Sequence, residues 1–177
     1  MIAAIVACEI GFWVLLAGGL AARYLLRARR LSTVLLVSVP LVDVALLAVA
    51  LLDLRRGGEP RTAHGLSAVY LGVSVAFGHQ LTRWADQRFA HRFHGGPPPV
   101  RPPRSGPAHA AHERRQWSLH LLAYLIAAAT LGLFAVVAGG FDRTLPLWRP
   151  MGPWTIVLII DFVVAISYTL APRAESR

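Results

Sequence analysis

PWTIVLIIDFVVAISYTLA, residues 153–171, carries a single charged side chain, Asp161, near its middle. As a helix it is about 28 Å long, close to the thickness of a bilayer's hydrocarbon core. Four more stretches read the same way: Ile2 to Ala22, Leu31 to Leu54, His64 to Leu81 and Trp117 to Gly140. Each is about 27 to 36 Å long when helical. Backbone groups in hydrocarbon must be satisfied within their own span, so these runs imply helices. The expected fold is all-α, a polytopic bundle of five transmembrane helices forming one domain over residues 1–177.

Composition agrees with the segment reading. Of the 177 residues 55% are hydrophobic, and the mean hydropathy of +0.52 is too high for a soluble domain of this size. The net charge of +9 would suggest nucleic acid in a soluble protein, but here the arginines cluster beside apolar runs, and no nucleic-acid role follows. Arg23, Arg27, Arg29, Arg30, Arg83, Arg88, Arg92, Arg101, Arg104, Arg114, Arg115, Arg173 and Arg177 fall on one side of the five-span layout. Only Arg55, Arg56, Arg61, Arg143 and Arg149 fall on the other. The richer side is expected to be cytoplasmic, which puts the N-terminus outside and the C-terminus inside a bacterial cell membrane. Cys8, the only cysteine, excludes an internal disulfide.

The one long connection, Thr82 to Gln116, is read as a cytoplasmic loop in two parts. Over residues 82–94, Trp84, Phe89 and Phe93 alternate with Arg83, Arg88 and Arg92. That pattern predicts an amphipathic interfacial helix, with Arg83, Arg88, Arg92 and Trp84 touching anionic lipid headgroups. Over residues 95–108, six prolines (Pro97, Pro98, Pro99, Pro102, Pro103, Pro107) predict an extended tether.

Chemistry centres on Glu9, Asp43 and Asp161, three acids in three separate apolar runs. Ionisable groups at such depth are functional candidates by default. On a shared level they would bind a proton or a cationic solute; the plainer alternative is three separate carboxyls bonded to neighbouring helices. Trp154, Asp161 and Tyr168 are seven apart and share one face with Ala165, the spacing of a packing seam. Ala68, Gly72 and Ala76 recur every fourth residue, the small-residue spacing of close helix packing. No cofactor is expected: His79 and His120, near one end of adjacent spans, are read as a pair making interfacial hydrogen bonds, with haem ligation between helices as the alternative. The loop pairs His91/His94 and His109/His112 straddle the proline tether and so lack preorganisation for a metal. No phosphate-cradling glycine loop, HExxH, GxSxG or CxxC is present, so no soluble-enzyme signature applies.

Residues 7–13 (ACEIGFW), 64–66 (HGL), 72–80 (GVSVAFGHQ) and 84–86 (WAD) make the chain resemble a family of uncharacterised small multi-helix inner-membrane proteins of Gram-positive bacteria. The resemblance implies a membrane location and a multi-helix fold, and carries no activity. Two functions stay open: transport or sensing of protons or a cationic solute through the interior carboxyls, or a non-catalytic scaffold or accessory subunit. In the second, a partner membrane protein or a second copy would pack on the small-residue face of the third span or on the basic loop.

Overall fold

The computed structural model describes the backbone of residues 2–26, 28–100, 102–103 and 105–171; side chains within this range that lie outside the described set include those of Cys8, Glu9, Asp43 and His94. Six helices occur among the described residues: α1 (Ile2–Tyr24), α2 (Arg29–Arg55), α3 (Thr62–His94), α4 (Gly106–Val137), α5 (Phe141–Trp148) and α6 (Met151–Leu170). Of these, α4 and α6 are long and apolar enough to cross a membrane by length and composition.

The helices pack largely in chain order, α1 on α2, α2 and α1 on α3, α3 on α4, and α4 on α6. Two apolar clusters sit at opposite ends of α3. One gathers Ala50 and Leu54 of α2, Ala68 of α3, Leu131 and Phe134 of α4, Leu147 of α5 and Met151 of α6. The other joins Leu16 and Leu20 of α1 to Ala85 of α3, with Tyr24 and Phe89 packed against them. Elsewhere the helices present bare aliphatic faces, such as Ile156, Ile159, Ile160 and Val163 on α6. Such faces suit lipid, which is as apolar as the side chains themselves.

The centre of the packing is the small-residue face of α3. Ala68 is fully covered, and Gly72 and Ala76 are buried. A Cβ on Gly72 would sit 2.3 Å from the carbonyl oxygen of Ala123 in α4. The face therefore belongs to α4 and is not open to a second protein. A second close approach places Gly65 against α5, where a Cβ would lie 2.2 Å from the Leu147 carbonyl oxygen.

Two boundaries differ from the sequence expectation. No separate interfacial helix forms over residues 82–94, because α3 has no Gly or Pro between Leu81 and His94 and runs through to a left-handed Gly95 (φ 60°). The tether is also shorter than expected: α4 begins at Gly106, with Pro107 in its first turn. Proline is tolerated there because a first-turn N–H has no helical partner to lose. Finally, α5 occupies part of what reads as a plain connection, burying Thr144 and Leu147.

Candidate functional site

The seam between α4 and α6 is antiparallel and in step. Tyr124 meets Thr155 through their hydroxyls at 2.9 Å, Trp117 meets Phe162 at 5.0 Å between ring centres, and His109 meets Tyr168 edge-on at 4.6 Å. The stripe Trp154, Asp161, Ala165 and Tyr168 is the α4-facing side of α6.

Between these contacts, Asp161 closes on His120, Nδ1 to Oδ2 at 2.5 Å. The Trp154 indole N–H donates to His120 Nε2. An indole nitrogen is only ever a donor, so Nε2 must be the bare nitrogen and the proton sits on Nδ1, donating to the carboxylate. His120 is thus neutral and both its ring nitrogens are committed.

The pair forms one wall of a cavity of about 230 Å³, also lined by Phe77 of α3, Glu113, Gln116 and Trp117 of α4, and Val164 of α6. Glu113, Gln116, Trp117 and His120 are spaced three and four apart, so one face of α4 carries a polar line from Glu113 to the pair. Asp161 keeps 46% of its side-chain surface open, against 16% for His120. The Trp117 indole N–H is buried without a hydrogen-bond acceptor.

A second histidine–aspartate pair joins the end of α2 to the start of α3. His64 is fully buried. Its Nδ1 accepts the Arg61 backbone N–H at 3.3 Å, and its Nε2 lies 2.9 Å from Asp53 Oδ2. The same reasoning makes His64 neutral, donating from Nε2.

Of the sequence candidates, the structure seats Asp161 in a network and places His79 exposed on α3, outside the residues lining the His120 cavity. A metal bound to His120 would have to displace either Trp154 or Asp161. The side chains of Glu9 and Asp43 lie outside the described residues; their helices pack on each other, whereas α6 packs chiefly on α4. Arg83, Arg88, Arg92 and Trp84 are all exposed on the far end of α3. No cluster of three or more metal-ligating side chains occurs among the described residues. Sequence reasoning allowed Asp161 a bond to a neighbouring helix but named no histidine for it, and did not pair Asp53 with His64. A histidine facing an acid on a different segment leaves no local spacing to read.

Comparison with known proteins adds class and no chemistry. No protein-family model matches the chain, and no solved structure does. A curated protein of Bacillus subtilis (strain 168), the uncharacterised membrane protein YmcC, is 39% identical over 172 residues, 97% of this chain and 92% of that protein. Similarity of that degree over nearly the full length of both places this chain in one family with YmcC, a family of membrane proteins.

Proposed function

We propose that this is a multi-pass protein of the bacterial cell membrane that takes up a proton or a small cation at Asp161, with His120 as its positioning partner. The observation that carries the reading is the 2.5 Å contact between His120 and Asp161 in the middle of an apolar helix, on the wall of a cavity. A carboxylate in that position is expensive unless paired, and an expensive group in a membrane helix is a functional candidate. Glu113 supplies a second carboxyl to the same cavity and gives a cation a second counter-charge. The five-span topology, with α1, α2, α3, α4 and α6 crossing and the arginine-rich side in the cytoplasm, belongs to the same proposal. Glu9 and Asp43 enter it as further carboxyls in α1 and α2.

The test is flux. Purified protein in vesicles with an entrapped pH dye should pass protons or small organic cations, and Asp161→Asn should suppress that flux while the protein stays folded. An amide keeps the size and acceptor oxygen of the acid and cannot take up the proton. Wild-type vesicles as tight as empty ones to protons, metal cations and quaternary amines would reject transport. The reading that remains is an accessory subunit or homo-oligomer, with the basic loop as its contact, since α4 already covers the small-residue face of α3. In that case native mass spectrometry or co-purification should show the second chain.

A further inference from the structure

We propose that the end of α3 and the proline strap that follows it form a binding site for the phosphate headgroup of an anionic membrane lipid. After Gly95 the chain turns back, held by a 2.8 Å bond between His91 Nδ1 and the Gly96 carbonyl oxygen. Pro98, Pro99, Val100 and Pro102 then close one side of a groove of about 720 Å³ whose other side is α3.

The chemistry of the groove is one-signed. Arg88 and Arg92 are one helical turn apart and both line it, and no acid does among the described residues. The nearby acid, Asp86, is already taken by the Tyr24 hydroxyl at 2.8 Å and by Arg23 at 3.6 Å. The Arg88 guanidinium sits 4.4 Å from the centre of the Trp84 ring, which holds it beside an exposed indole. Two guanidinium groups one turn apart match a phosphate, which accepts from both.

The level of the groove selects a lipid over a soluble anion. Ala85 and Phe89, on the adjacent face of α3, pack on Leu16, Leu20 and Tyr24 at the end of α1. The groove therefore stands where the apolar length of α1 runs out, at headgroup height. Trp84, Phe93 and Val100 are exposed beside it by 49%, 53% and 82%. They offer apolar contact to acyl chains that inorganic phosphate does not have.

The experiment uses the full chain in neutral phosphatidylcholine nanodiscs, titrated with phosphatidylglycerol, with bound lipid read by native mass spectrometry and thermal shift. Wild type should retain phosphatidylglycerol over phosphatidylcholine. Arg88→Gln with Arg92→Gln should weaken that retention on the order of tenfold or more, each arginine contributing roughly fivefold near the surface. Arg88→Lys with Arg92→Lys should keep most of the preference, which separates lost charge from lost folding. Arg55→Gln with Arg56→Gln, at the far end of the molecule, should leave it unchanged. Equal retention of the two lipids, wild-type retention in the glutamine variant, or full displacement by millimolar inorganic phosphate would each overturn the proposal.

Discussion

His120 and Asp161, 41 positions apart in sequence, meet at 2.5 Å across the α4–α6 seam. The Trp154 indole behind the ring fixes which nitrogen faces the acid. One proton therefore lies between the two helices in a set direction, from imidazole to carboxylate.

That pairing makes Asp161 and His120 energetically coupled. Asp161→Leu is expected to destabilise the protein by about 0.6 to 2 kcal/mol, the range for interhelical hydrogen bonds in membrane bundles. His120→Ala should do much the same, and the double variant should lose less than the sum by at least about 0.5 kcal/mol. Thermal unfolding in detergent measures all three; strict additivity would mean that the contact contributes nothing.

The approach of α3 to α4 predicts a contrast between two glycines. Gly72→Ala pushes a Cβ to 2.3 Å from the Ala123 carbonyl oxygen, which is backbone and cannot swing aside. A loss of about 1 to 3 kcal/mol is expected, as for overpacked cores. Gly78→Ala, six residues on, meets nothing within 4 Å, and should be neutral or gain up to about 1 kcal/mol. Melting temperatures of the two variants check both.

Between α2 and α3, Asp53→Ala strands the buried Nε2–H of His64, a loss of about 1 to 3 kcal/mol for an unsatisfied buried donor. Asp53→Asn keeps an acceptor oxygen in place and should recover most of it. Limited proteolysis in the Arg55 to Arg61 connection is a local readout, since the pair ties the end of α2 to the start of α3.

Topology is open to cysteine labelling in a Cys8→Ala background. Glu59, Val100 and Asp142 are exposed positions in the three relevant connections, and suit the probe better than nearby Gly58 and Gly140. A Cβ on Gly58 would crowd Asp53, and Gly140 has φ 132°. Labelling of intact cells is expected at 59 and 142 and not at 100. Labelling at 100 and protection at 59 would invert the orientation.

What the sequence determined by itself is local. Apolar runs of bilayer length set where helices run, because backbone hydrogen bonding in a helix is satisfied within four residues, whereas the unbroken passage of α3 from Leu81 to His94 was seen only in the structure. The membrane class followed from the same runs, and the Ala68, Gly72, Ala76 spacing marked a face for close packing. Which helix takes that face, and which side chain answers Asp161, were decided by tertiary structure. Both depend on the register of α4 against its neighbours, and a slip of one turn, about 5.4 Å, would carry His120 away from Asp161 while leaving every helix intact. Registry is set by the summed packing of Gly72 on Ala123, Trp117 on Phe162 and Tyr124 on Thr155. No single stretch of sequence holds that sum, so the partner of the membrane acid emerges only when the helices are packed.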